Sequence, residues 1–112
     1  MTYFGFALAD SMFAGDCSIV RRSLTLEQAK EFIAQGVIPC LNPSHTATVA
    51  VMRAHGIEVE IPSTPPKVAL QPGDDLIVMG VRGLPRLTDR HEYTKDEIEK
   101  ATFSFSLYHV KI

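Results

Sequence analysis

Residues 103–112 alternate between two sets of side chains: Phe103, Phe105 and Leu107 in one, and Ser104, Ser106 and Tyr108 in the other. Because successive side chains of a strand point to opposite faces, this pattern predicts a strand whose apolar face is buried. Such a strand needs neighbouring strands and a second layer that covers the apolar face. With 112 residues, the chain corresponds to a single domain over 1–112.

Two segments carry the sequence signature of a helix start. Thr25 followed by Gln28, and Thr94 followed by Glu97, each form a capping box, in which a side chain and a backbone N–H are bonded reciprocally. The first box predicts a helix over Leu26–Gln35, whose apolar residues recur at helical spacing. The second predicts a short helix that begins after Thr94 and ends at about Lys100.

A third helix is predicted over His45–His55, with Ser44 as its N-cap. Short apolar or alternating runs predict further extended segments at Tyr3–Leu8, Ile19–Ser23, Val37–Leu41, Glu58–Ile61, Val68–Leu70 and Leu76–Val81. Helices and strands do not alternate regularly along the chain. We therefore expect an α/β (α+β) fold with a mixed, mainly antiparallel sheet and helices packed on it.

Charge and composition exclude several classes of protein. The net charge is −2 with only 11 Lys and Arg, which does not suit a protein that coats extended nucleic acid. No stretch approaches the roughly 18 apolar residues that span a membrane, and no basic segment precedes the apolar start, so we expect a cytoplasmic protein. Cys17 and Cys40 lack the spacing of a zinc site, and we expect no metal and no cofactor. Cys40 as a nucleophile near His45 is weighed against a buried structural thiol.

The segment Asn42–Thr46 is the first candidate site. A helix start offers unpaired backbone N–H groups that suit an anion such as phosphate. The hydroxyls of Ser44 and Thr46 add donors, and His45 can exchange a proton near neutral pH. The alternative is an ordinary capped helix with an exposed histidine.

The loop after Leu76–Val81 is the second candidate site. It carries Arg82, Arg86 and Arg90, and Gly83 restrains its start. Arginine is the natural bidentate partner of phosphate, although a solvated basic loop is the simpler alternative. Together the two candidate sites suggest a nucleotide or an oligonucleotide end as the ligand.

At these motifs the sequence resembles the small anti-CRISPR ring nucleases that archaeal viruses, bacteriophages and prophages carry. The resemblance spans nearly the whole chain and rests on the order of several motifs. Its most specific parts are His45-x-x-Thr48, Pro72-Gly73-Asp74 and Arg86-Leu87-x-Asp89.

The resemblance implies a homodimer, in the host cytoplasm if virus-encoded, that binds cyclic tetra-adenylate and cleaves it to linear di-adenylates without a metal. It implies His45 as the general acid for the departing 5′ oxygen, while the ribose 2′ hydroxyl attacks in line. Arg86 would stabilise the phosphorane, and Asp89 matches the family's acidic residue. Ser11 would line the ligand pocket.

Several residues depart from the family pattern: Ser44 replaces the usual glycine, Asp89 the usual glutamate, Arg90 a glycine, and Phe6–Ala9 an Asn-Ala-Phe-Ser stretch. These departures keep two other functions open. The protein could sequester a cyclic nucleotide without cleaving it, or it could inhibit another protein and bind no nucleotide.

Overall fold

A computed structural model describes residues 1–13, 15–64, 66–84 and 92–111. Its strands are β1 Thr2–Gly5, β2 Ser18–Leu24, β3 Ile38–Pro39, β4 Asp75–Arg82 and β5 Thr102–Lys111. Its helices are α1 Leu26–Gln35, α2 Thr46–Ala54 and α3 Lys95–Lys100, and single 3₁₀ turns cover Asp10–Met12 and Pro43–His45. No helix in these ranges is long and apolar enough to cross a membrane.

The five strands form one mixed sheet in the order β2-β5-β4-β1-β3. β1 runs parallel to both β3 and β4, whereas β5 runs antiparallel to both β4 and β2. The two longest ladders are the antiparallel ones. The α+β fold with a mixed sheet and packed helices is therefore confirmed.

The two faces of the sheet carry separate apolar layers. On the first face, helices α1 and α2 cover a core that includes Phe4, Leu41, Met52, Ile77 and Phe105. On the second face, no α-helix contributes to the core in the part of the chain described. There, a smaller cluster of Tyr3, Leu70, Leu76 and Val110 is covered by Met12, Phe13, Cys17 and Val68, among others. Strands β1, β4 and β5 thus place alternate residues in different clusters, as the period of two requires.

Both predicted capping boxes are present. Thr25 Oγ1 accepts the Gln28 N–H at 3.1 Å, and Gln28 Oε1 accepts the Thr25 N–H at 2.9 Å. Thr94 and Glu97 repeat this exchange at the start of α3. The boxes satisfy donors that have no partner within the helix, which is why these helices begin where the sequence predicts.

The start of the third helix differs from its prediction. Asn42, not Ser44, caps the turn Pro43–His45, and the α-helix that follows begins at Thr46, with His45 at its N-cap position and no side-chain capping hydrogen bond. Proline has a fixed φ and no N–H, so it suits the first position of a helical turn and moves the cap to the residue before it.

Two predicted extended segments do not join the sheet. Residues 58–61 form no strand although Val59 is buried, and residues 68–70 contribute only an isolated bridge between Leu70 and Phe13. An alternating sequence indicates that every second side chain is buried. An extended segment can bury side chains in this way without forming hydrogen bonds to a neighbouring strand.

Candidate functional site

The described candidate residues lie on segments that follow the carboxyl ends of the parallel strands β1, β3 and β4. Phe6 comes directly after β1, Cys40 directly after β3, and Arg82 ends β4. Ligands of sheets with parallel strands bind outside the carboxyl ends of those strands. This end of the sheet is therefore where a binding site is expected.

His45 is half-buried and held by two contacts. Its Nδ1 accepts the backbone N–H of Asn42 at 3.1 Å, and its ring meets the Phe6 ring edge-on at a centroid distance of 4.8 Å. In the neutral ring, an acceptor Nδ1 places the proton on Nε2. Nε2 makes no hydrogen bond with a described residue, so it is the atom that can act on a ligand.

The backbone N–H groups of the same turn are already bonded. Ser44 N–H donates to Asn42 Oδ1 at 2.9 Å, and His45 N–H donates to Asn42 O at 2.9 Å. Thr46 donates to Pro43 O with both its N–H and, at 2.7 Å, its hydroxyl. The Ser44 hydroxyl also donates to Asn42 Oδ1. The turn therefore offers the His45 ring, with the hydroxyl oxygens of Ser44 and Thr46 as acceptors. It offers neither the open row of amides nor the hydroxyl donors that the sequence suggested.

A cavity of about 360 Å³ is lined by Ser11, Met12, Cys40, Pro66, Lys67 and Val68, of which Cys40 lies two residues before Asn42. Ser11, which the resemblance implies as a ligand residue, lines it as an exposed side chain. Lys67 is the charged residue of the lining, and the sequence reasoning missed it. No local sequence pattern links residue 67 to residue 11.

The cavity and the His45 ring flank the segment 40–42. Cys40 packs with the second-face cluster, whereas Phe6, the ring partner of His45, packs with the first-face core. The chain thus crosses the end of the sheet between them. A ligand that contacts both must extend over this end of the sheet.

Cys40 is a poor candidate nucleophile. Burial raises the pKa of its thiol, and Sγ lies 3.7 Å from the Ile38 carbonyl. A thiolate is the reactive form of cysteine, and a raised pKa reduces its fraction at neutral pH. The structural alternative for Cys40 is therefore favoured.

Arg82 and Gly83 lie where β4 ends, and both are exposed. Gly83 has a φ of +88°, and a Cβ there would come within 2.9 Å of the Lys100 carbonyl oxygen. No hydrogen bond or ion pair with a described residue joins Arg82 to His45. Arg86 and Asp89, which the resemblance implies as catalytic, lie outside the described residues, as does Arg90.

The other two histidines that the structure describes are engaged elsewhere. His55 Nε2 lies 2.8 Å from the Ile98 carbonyl, and His109 Nδ1 lies 2.7 Å from Asp75 Oδ1. Within the described ranges, no cluster of three or more His, Cys, Asp or Glu residues could hold a metal ion. His45 is therefore the described histidine on the segment that follows β3, whereas the His55 ring contacts Phe103, opposite Val81 of β4.

No protein-family model and no curated protein matches the sequence. Among solved structures, the chain is similar to B116 of Sulfolobus turreted icosahedral virus, with a TM-score of 0.67 and 16% sequence identity. The match covers 96% of this chain and 97% of that one. The fold is therefore shared with a viral protein over essentially its whole length.

Proposed function

We propose that the protein is a metal-independent ring nuclease that cleaves cyclic tetra-adenylate to linear di-adenylates and so suppresses type III CRISPR defence. The observation that carries the proposal is the placement of His45. Its ring is oriented by Asn42 and Phe6 at the carboxyl end of β3, and Nε2 remains available. The motif resemblance supplies the substrate class, and the shared fold with a viral protein is consistent with it.

The chemistry requires no metal because the substrate supplies its own nucleophile. The ribose 2′ oxygen attacks the adjacent phosphorus in line, a bond forms to this oxygen, and the bond from phosphorus to the 5′ oxygen breaks. The departing 5′ oxygen takes a proton from the protein, and the 2′ hydroxyl gives its proton to solvent water. Each cut leaves a 2′,3′-cyclic phosphate and a free 5′ hydroxyl.

His45 Nε2 is the proposed proton donor to the 5′ oxygen. In the imidazolium both ring nitrogens carry protons, so the hydrogen bond from Asn42 N–H must open when that form is present. Arg86 is the proposed partner of the charged phosphorane, and Asp89 completes the catalytic group. Ser11, Ser44, Thr46, Arg82 and Gly83 are the proposed ligand contacts, to which the cavity adds Lys67.

The size of the cavity argues for two copies around one ligand. A volume of about 360 Å³ lies at the lower end of the ~300–1,000 Å³ typical of small-molecule pockets. One copy therefore encloses a part of a four-nucleotide ring. A two-fold dimer would bring two His45 rings to one ligand, and two cuts convert one ring into two di-adenylates.

The test is incubation with cyclic tri-, tetra- and hexa-adenylate in EDTA, followed by chromatography of the products. We expect loss of the tetra-adenylate ring and appearance of di-adenylate. His45→Asn is the most informative variant. The Oδ1 atom of the introduced asparagine can still accept the Asn42 N–H, whereas the Nε2 atom of the histidine is lost. The variant should lower the cleavage rate by ~10²–10⁴-fold with binding retained, the range for a lost general acid.

Other outcomes separate the alternatives. Tight binding with the intact ring recovered would identify a protein that sequesters the nucleotide. Full activity in His45→Asn would overturn the assignment of His45. Absence of any thermal shift with all three cyclic nucleotides would favour an inhibitor of another protein.

A further inference from the structure

The outer edge of β2 is the longest unpaired strand edge among the described residues. β2 pairs with β5 through all seven of its residues, and it stands at the end of the strand order. Six of its seven residues are exposed. At about 3.3 Å per residue, this edge presents some 23 Å of backbone, in which alternate N–H and C=O groups point outward.

Apart from the charges of Arg21 and Arg22, the features that usually protect a strand edge are missing from β2. The strand contains neither proline nor glycine, and its ladder with β5 is uninterrupted. Ile19 and Val20 are 39% and 48% exposed, and they are two of the four exposed large hydrophobic residues that the structure describes. Exposed aliphatic side chains on an open edge favour addition of another strand.

The side chains of β2 repeat the same order on both faces of the sheet. Ile19 and Arg21 lie on the second face, and Val20 and Arg22 on the first, because adjacent residues alternate. On each face an aliphatic residue is therefore followed, two positions on, by an arginine. The side chains of an added strand therefore encounter one aliphatic residue and one arginine on either face of the sheet.

The charge of the edge is uniformly positive. β2 contains no acidic residue, although the whole chain has a net charge of −2. Neither Arg21 nor Arg22 forms an ion pair with a described residue. Arg21 Nη2 donates to Ser106 Oγ at 2.8 Å, and Ser106 lies on β5, so this side chain lies back over the sheet and leaves the outer backbone accessible.

We propose that the outer edge of β2 binds an extended acidic segment of a partner protein, which adds to the sheet as a sixth strand. Antiparallel pairing is the more stable arrangement per residue. In that direction the segment reads two acidic residues and then two aliphatic residues, placed opposite Arg22, Arg21, Val20 and Ile19. Backbone hydrogen bonds supply affinity, and the paired side chains supply specificity.

A second copy of this chain fits the edge less well. When two β2 strands pair antiparallel over their full length, Arg21 lies directly opposite the Arg21 of the other copy. Like charges at directly opposed positions destabilise a strand pair. An acidic segment turns the same positions into favourable pairs.

The test uses a fluorescent peptide of sequence Thr-Glu-Glu-Val-Val-Thr and measures anisotropy with the full chain. We expect saturable binding and shifts of the Ser18–Leu24 amides in nitrogen-15 spectra. The double variant Arg21→Glu/Arg22→Glu should weaken binding at least tenfold, and the peptide Thr-Lys-Lys-Val-Val-Thr should regain it. Arg53→Glu, on the exposed part of α2, is the matched control and should bind normally. Arg21→Gln/Arg22→Gln removes the two positive charges without reversing them and should also weaken binding of the acidic peptide.

Three results would overturn the proposal. One is the absence of saturable binding. Another is equal affinity for the reordered peptide Thr-Glu-Val-Glu-Val-Thr. The third is a dimer in sedimentation velocity that Val20→Asp converts to a monomer, because a second copy then occupies the edge. Cleavage of cyclic tetra-adenylate should be unchanged in the double variant, so the two proposals fail independently.

Discussion

Asn42 and His45 hold each other through a reciprocal pair of hydrogen bonds. The Asn42 N–H donates to His45 Nδ1 at 3.1 Å, and the His45 N–H donates to Asn42 O at 2.9 Å. The Asn42 side chain meanwhile accepts the Ser44 N–H. One asparagine thus fixes both the backbone of the turn and the orientation of the imidazole.

Replacing Asn42 should reduce both stability and cleavage. Asn42→Ala removes the acceptor for Ser44 N–H, and loss of a cap of this kind costs about 1 kcal/mol of unfolding free energy. The looser turn should lower kcat more than it raises KM, because the backbone that positions the His45 ring becomes less ordered. Asn42→Asp keeps the acceptor and should restore both quantities. Urea unfolding and steady-state cleavage measure the two effects, and equal kcat in all three proteins would contradict this role of the turn.

Lys67 should contribute to binding rather than to chemistry. It is an exposed cation on the cavity that contains Ser11, and a phosphodiester ligand would gain from its charge. Lys67→Ala should raise the Kd for cyclic tetra-adenylate about tenfold, consistent with one charge-assisted hydrogen bond. The wild-type Kd should also rise more steeply with salt than that of the variant. Lys95→Ala, at the exposed start of α3, is the control, and the same loss there would remove the case for Lys67.

Substitution of Gly83 by alanine should destabilise the fold, whereas the same substitution at Gly15 should have almost no effect on stability. At Gly83 an alanine would adopt a φ of +88° and place its Cβ 2.9 Å from the Lys100 carbonyl oxygen. We expect Gly83→Ala to lower the unfolding free energy by ~1–3 kcal/mol. At Gly15 nothing lies within 4 Å of an added Cβ, so Gly15→Ala should stay within about 0.5 kcal/mol of the wild type. Thermal unfolding of the two variants side by side tests the contrast.

Asp74 should make the fold sensitive to acid. Burial acts to raise the pKa of its carboxyl, but the Gln71 N–H at 3.0 Å and the Met1 ammonium at 3.1 Å together hold that pKa below its ordinary value. Because the folded pKa lies below the unfolded one, the contribution to stability is present at neutral pH and is lost as pH falls below about 5.

The matching variant is Asp74→Asn. It should have a lower Tm than the wild type at pH 7 and nearly the same Tm near pH 2, where the wild-type carboxyl is protonated. A Tm difference that stays constant across this range would show that Asp74 acts through its shape and not through its charge.

The parts of the fold that local chemistry controls were predictable. The boxes at Thr25 and Thr94 appear because their hydrogen bonds involve residues only three apart. Val59 is buried in a segment that pairs with no strand, since its partners are distant core residues that no local pattern specifies.

The candidate site divides in the same way. His45 could be predicted as a site residue from the sequence of one short segment, the one that follows β3. Lys67 and Ser11 share a cavity only because the fold brings together residues 56 positions apart in the chain. Proline at position 43 explains why the cap lies at Asn42, but the exact hydrogen bonds of the turn needed the structure.

The strand order has a consequence for how the chain is made on the ribosome. β4 and β5 are the last strands to be synthesised, yet they occupy interior positions of the sheet, with β2 on one side and β1 on the other. Until β4 emerges, β1 has only the two-residue pairing with β3, and until β5 emerges, β2 has no neighbour. The nascent polypeptide must therefore keep its early strands apart and receive the later ones between them, so the native sheet cannot be completed before β5 has been synthesised.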